Sequence, residues 1–128
     1  MRRFGITLAG GMAALLVTVG AARAEGDAVK GEAVFKRCVT CHTLKPGAPN
    51  KIGPNLHGLF DRDAGKEAGF NYSKGLAGAD FKWDDARLDK WLTKPQDFIA
   101  GAKMPFNVPS AQDRADVISY LHKAAEEP

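Results

Sequence analysis

Cys38-Val39-Thr40-Cys41-His42 is the stretch on which the reading of the whole chain depends. It reads C-x-x-C-H, the spacing of covalent c-type haem attachment. Two thiols can add across the two vinyl groups on one edge of a porphyrin, and two intervening residues let one helical turn span that edge. The imidazole of His42 then faces the iron from one side. A bare C-x-x-C also fits a thioredoxin-like redox pair, half of a zinc site or a plain structural disulfide. The redox pair wants a βαβ pattern around it, and none is visible. A closed zinc site wants four ligands. Only His57 and His122 could join Cys38, Cys41 and His42, at spacings that fit no familiar zinc arrangement. The His directly after the second Cys favours one covalently bound haem c per chain.

Upstream of this motif the chain divides in two. Arg2 and Arg3 form a positive start, an apolar run extends from Gly5 to about Ala22, and Ala22-Arg23-Ala24 places small residues where a signal peptidase reads. This predicts a secretory signal over residues 1–24, cleaved after Ala24, and one haem-binding domain over residues 25–128. An uncleaved membrane anchor is the rival reading, but the run is short for a span and a good cleavage site follows it. Export implies the periplasm, where c-type haem is attached and thiol chemistry is managed.

Cleavage changes the charge. The full chain of 128 residues has 18 basic and 15 acidic side chains. Arg2, Arg3 and Arg23 fall in the signal, so the mature chain holds 15 of each and is formally neutral. The sequence pI of 9.0 belongs to the precursor and gives no reason to expect nucleic-acid binding. The mature chain of 104 residues is small for a self-sufficient core, and a haem would supply a large flat apolar surface to pack against.

Downstream, the pattern is helical at both ends and irregular between. Asp27 is a good N-cap for a helix from Ala28 to about Thr40, with Val34, Phe35 and Cys38 on one face. Gly31, one turn before Phe35, marks close approach of another backbone. From Thr43 to Tyr72 no strong period appears, and a loop of this length fits so small a domain only by wrapping a cofactor. Within it, Gly53-Pro54-Asn55-Leu56-His57-Gly58-Leu59-Phe60 stands out. A ligating His donates its second ring N–H to an acceptor, and a backbone carbonyl near Pro54 suits that role. Leu56, Leu59 and Phe60 read as packing against the haem.

A weak short helix starts at Ser73. A clearer one runs from Asp84 or Asp85 to about Thr93, burying Leu88, Trp91 and Leu92, with Pro95 as its stop. The last begins at Ser110, with Asp113 completing a capping-box pattern and Val117, Ile118 and Leu121 as its apolar stripe. No convincing strand or repeat is visible. The expectation is an all-α domain of three main helices and long loops around one haem.

An electron-transfer haem wants two strong axial ligands. His42 supplies one. Met104 is the only Met after the signal, and it lies in the Gly/Pro-bounded loop Gly101-Ala102-Lys103-Met104-Pro105-Phe106 between two helices. It is therefore the expected sixth ligand. His57 and His122 are rivals: the first lies close behind the attachment turn, the second in the last helix beside Lys123.

The mature chain resembles class I cytochromes c, in particular the bacterial type closest to mitochondrial cytochrome c. The resemblance covers nearly all of Gly26 to Glu127. It rests on Cys38-Val39-Thr40-Cys41-His42, on the stretch from Gly53 to Phe60, on Lys103-Met104-Pro105, and on Arg114-Ala115-Asp116-Val117-Ile118-Ser119-Tyr120-Leu121. It implies that Cys38 and Cys41 form the haem thioethers and that His42 and Met104 are the axial ligands. It implies that Gly31, Phe35 and Tyr120 mark the crossing of the terminal helices. Pro54 would supply the carbonyl that holds His42, and Arg62, Tyr72 and Trp83 would surround the haem propionates. The chain departs from the family pattern at Trp91, where a Tyr is frequent, at Ala102 in place of Thr, and at Leu76 in place of a buried Asn. All three changes remove polar contacts near the haem. Arg37, Lys51 and Lys103 remain of the usual basic ring, while Gln96 takes a position often basic.

The resemblance implies a soluble, monomeric, monohaem electron carrier, not an enzyme. Single electrons would pass by outer-sphere transfer at the haem edge to membrane or periplasmic redox proteins: a respiratory-chain complex, a terminal oxidase, a photosynthetic reaction centre or a dehydrogenase. Two other classes compete, an enzyme or gas sensor with an open iron site and a thiol oxidoreductase without haem. Met104 argues against the first and His42 against the second.

Overall fold

The structure, a computed structural model, describes residues 25–128. The expected signal segment, residues 1–24, and its cleavage site lie outside the described residues. Five helices follow in order: α1 (Ala28–Phe35), α2 (Lys74–Ala77), α3 (Asp85–Thr93), α4 (Pro95–Phe98) and α5 (Ala111–Ala124). Among the described residues no helix is long and apolar enough to cross a membrane.

Asp27 starts α1. Its carboxylate accepts from the N–H groups of Val29 and Lys30 at 2.9 and 3.2 Å, satisfying two donors that the helix leaves open. The N–H of Asp27 in turn donates to the carboxylate of Asp116 in α5 at 2.8 Å. The two helices cross at Gly31. A Cβ there would lie 1.9 Å from the Asp116 carbonyl oxygen and 2.7 Å from the Tyr120 Cβ, so only glycine admits this approach. Beside the crossing the Phe35 and Tyr120 rings pack at 5.4 Å.

The third long helix, α3, is capped by Asp84, which accepts from Arg87 N at 2.8 Å. Leu88, Trp91 and Leu92 are its buried side, as their spacing predicts. Two polar links hold it to α5: Arg114 Nε donates to Asp89 at 2.8 Å, and His122 Nε2 pairs with Asp85 at 2.5 Å. The core is made where these helices meet, with Val34, Phe35, Leu88, Val108, Val117, Ile118 and Leu121 almost wholly buried.

One expectation is corrected and one is extended. The first helix ends at Phe35, not near Thr40. From Arg37 to Cys41 the chain continues in tighter turns, with Arg37 N on Val34 O, Cys38 N on Phe35 O and Cys41 N on Cys38 O. The β-branched pair Val39-Thr40 disfavours a regular helix there. Pro95 ends α3 but also opens α4. It forces Lys94 into an extended conformation (φ −164°, ψ 100°), then occupies the first helical position, where its missing N–H costs nothing. No strand is present among the described residues; a single isolated antiparallel bridge joins Asp63 and Lys82.

The long loop of residues 43–72 is tied down at many points. Asn55 is 3% exposed, and its amide donates to the carbonyls of Lys45 and Ala48 at 2.8 and 3.1 Å. Asn50 bridges two strands of the loop, accepting from Asn55 N at 2.8 Å and donating to Ala68 O at 2.9 Å. Gly58 N donates to Ala125 O at 2.7 Å and pins the loop to the end of α5.

Candidate haem site

The thiols of Cys38 and Cys41 stand on the turns after α1. Both are free and half-buried. Burial pushes the Cys38 thiol above its ordinary value, with Arg37 opposing and Cys41 adding to the rise, so it stays protonated near neutrality. His42 N donates to Cys38 O at 2.9 Å, which closes the turn and places the imidazole directly after the two sulfurs.

That imidazole is fixed by the loop behind it. His42 Nδ1 lies 2.7 Å from the carbonyl oxygen of Pro54. A carbonyl only accepts, so Nδ1 carries the proton and Nε2 keeps its lone pair. Gly53 makes the approach feasible, since a Cβ there would lie 2.4 Å from His42 Cε1. Burial lowers the His42 pKa, the Pro54 hydrogen bond opposes that, and Lys51 lowers it further. The ring is therefore neutral, with one nitrogen engaged and the other free to bind a metal. Two free thiols on the turn that ends in a neutral imidazole of fixed tautomer fit a haem with a histidine ligand.

Met104 lies half-buried in the loop between α4 and α5 and packs against the core. The rival histidines are engaged or enclosed elsewhere. The His122 ring stacks on Phe60 at 3.9 Å and bonds Asp85. Phe60, the other ring of this stack, also packs against the core. His57 has a buried Nδ1 without a partner.

Arg62 and Tyr72 are brought together through Glu67. Arg62 pairs with the Glu67 carboxylate at 2.9 Å and donates to the carbonyls of His57 and Asn55. Tyr72 Oη accepts from Glu67 N at 3.1 Å, and burial raises its pKa. Trp83 stands in an aromatic cluster, 5.6 Å from Trp91, 5.3 Å from Phe81 and 6.0 Å from Phe98. Trp91, Ala102 and Leu76, the three departures, are all buried, so apolar groups fill these positions.

Sequence reasoning passed over Asn50, Glu67 and the role of Asn55, which together shape the loop that carries Pro54. Asn55 sits in the stretch that was singled out; Asn50 and Glu67 carry no local signal.

The chain matches the sequence model of the cytochrome c family over residues 28–125. It is 44% identical to cytochrome c2 of Rhodomicrobium vannielii over 109 residues, 84% of this chain and 87% of that protein. It is 45% identical to cytochrome c of Arabidopsis thaliana over 101 residues, 77% of this chain and 90% of that protein. It is 43% identical to cytochrome c of Ginkgo biloba over 104 residues, 80% and 92% of the two chains. Its all-α architecture agrees with theirs in family, and the chain belongs to the cytochrome c family: an electron carrier, not an enzyme, with haem c attached covalently.

Proposed function

We propose that Cys38 and Cys41 form the two thioethers and that His42 and Met104 are the axial ligands. The observation that carries this reading is the 2.7 Å contact of His42 Nδ1 with Pro54 O, immediately after the two free thiols. Each attachment is an addition. Each thiol S–H would add across one vinyl group, its hydrogen going to the neighbouring carbon, with no oxidant consumed. When bound, the haem supplies a one-electron ferric/ferrous couple.

The chain's own residues do the rest. Pro54 O orients His42, and Gly53 leaves the ring room. The soft neutral thioether of Met104 favours the ferrous state, and holding both ligands in both oxidation states keeps reorganisation small. In the same reading Arg62 would offer its guanidinium and Tyr72 its hydroxyl to the propionates, with Trp83 near them. Electron transfer is outer-sphere at the haem edge.

The proposed setting is the periplasm. The segment 1–24 directs export and is removed after Ala24, leaving a monomer that exchanges electrons with membrane or periplasmic redox proteins of a respiratory chain. Three measurements test these assignments. The mature holoprotein should begin at Glu25, with one haem in its mass. Its ferric spectrum should show the weak sulfur-to-iron band in the red, and its ferrous form should not bind carbon monoxide. An N-terminal Met1, or ready carbon monoxide binding, would overturn the corresponding assignment.

A further inference from the structure

The segment that carries Met104 has no main-chain support of its own. Ala102 N donates to Ile99 O at 3.1 Å and Val108 N donates to Leu92 O at 2.7 Å. Between these anchors, no backbone–backbone hydrogen bond among the described residues involves residues 103–107. The chain enters this stretch through Gly101, whose φ of +77° folds it back over α4. That fold brings it to Gln96, on the first turn of α4. The Gln96 side-chain amide donates to Met104 O at 3.0 Å and lies 3.4 Å from Ala102 O. Lys103 Nζ reaches out to Asn71 O at 3.1 Å and Asn107 Nδ2 to Thr93 O at 3.4 Å. Among the described residues, Gln96 is the one side chain that donates to the Met104 main chain.

We propose that Gln96 is a positioning residue that clasps the Met104 loop against the iron site and sets how often that loop opens. The proposal rests on the reading of Met104 as an iron ligand. The chemistry needs an N–H donor here. A Gln amide offers two N–H groups to two carbonyls, whereas a carboxylate offers none. Gln96 itself is exposed, so replacing it leaves the core intact.

The test is the rate of cyanide binding to the ferric holoprotein, which requires the sixth position to open. Gln96→Ala and Gln96→Glu should each speed binding by about threefold to tenfold, the size of one lost net hydrogen bond. Gln112→Ala serves as the control, because its amide donates to Asp116 at 2.9 Å at the terminal-helix crossing. It should alter global stability without altering the cyanide rate. Ferrous NMR gives a second readout: the upfield Met104 methyl resonances should broaden or shift in the Gln96 variants alone. Unchanged rates in both Gln96 variants, or equal acceleration in Gln112→Ala, would refute the clasp. Met104→Ala separates the two levels. If it binds cyanide far faster than wild type while the Gln96 variants do not, the ligand assignment stands and the clasp fails. If it matches wild type, the ligand assignment fails, and the clasp with it.

Discussion

Gly31 and Asp116 meet backbone to backbone: a Cβ on the glycine would stand 1.9 Å from the Asp116 carbonyl oxygen. The neighbour is main chain within a helix and cannot swing aside, so any side chain must push α1 and α5 apart. Gly31→Ala should cost about 1–3 kcal/mol, as overpacked cores do. In a domain of this size that lowers the melting temperature by roughly 5–20 °C. Gly47→Ala is the comparison, since its φ of +71° disfavours alanine but open space surrounds it. It should cost only about 1–2 kcal/mol. Thermal melts followed by far-UV circular dichroism measure both, and a Gly31→Ala protein that melts with wild type would contradict the crossing.

Asp116 also links stability to pH. The N–H of Asp27 first, then the Gln112 amide, hold its carboxyl below the ordinary range. A lowered folded pKa means that the unfolded chain takes up the proton more readily. The stabilisation is therefore complete above the ordinary aspartate value of about 3.9 and is lost as pH falls through the lower folded value. Asp116→Asn lacks the ionisation. The stability gap between wild type and this variant should be constant from about pH 5 to pH 7 and should shrink below about pH 4. Urea unfolding across that range reads it, and a gap as wide at pH 3 as at pH 7 would exclude Asp116 as the source.

The thioether assignment predicts that haem stays with the protein through acid-acetone extraction and that the holoprotein has no titratable thiol. Cys38→Ala and Cys41→Ala should each cut the yield of holoprotein sharply, because each thiol would supply one of the two thioethers. Haem that extracts freely from wild type would rule out both bonds.

Much of this was legible because helix ends and stripes are local. Asp27, Asp84 and Ser110 each cap the helix that their position in the sequence announces. The turn geometry after Phe35 was not, because a C-x-x-C-H spacing satisfies one turn of either tight or regular helix. Gln96 was noted in the sequence as a lost cation, and its donor role appears only when Gly101 folds the loop back onto α4. Asn55 stands in the quoted stretch without its role showing, and Asn50 carries no local signal, because both act by closing the 45–68 loop on itself. Side chains that satisfy distant carbonyls leave no period in the sequence.

The docking surface carries the last prediction. No acidic residue lies between Glu32 and Asp61 or between Asp97 and Asp113, the two stretches that hold His42 and Met104. They carry Lys36, Arg37, Lys45, Lys51 and Lys103, so a formally neutral mature chain is locally positive around its ligands. The three cations expected at the haem edge are partly engaged. Arg37 pairs with Asp113 at 3.4 Å, Lys51 Nζ donates to Val39 O, and Lys103 Nζ donates to Asn71 O. Only Arg37 loses charge to a partner, because a carbonyl leaves the lysines cationic. Among them stand the exposed apolar side chains of Ile52 (76%), Val39 (46%) and Phe106 (39%). Rim charges act on association, and close apolar contact acts on dissociation. Electron transfer to an acidic redox partner should therefore slow as salt rises from about 10 to 150 mM, where the screening length falls from about 30 to 8 Å. The fall should be shallower than for a strongly basic cytochrome. Lys51→Gln and Lys103→Gln should reduce the association rate about twofold to threefold at low salt and leave it unchanged at high salt. Ile52→Ser should speed dissociation at every salt concentration. Stopped-flow kinetics against one acidic partner resolves both terms, and association rates indifferent to salt in wild type would remove the steering role from these lysines.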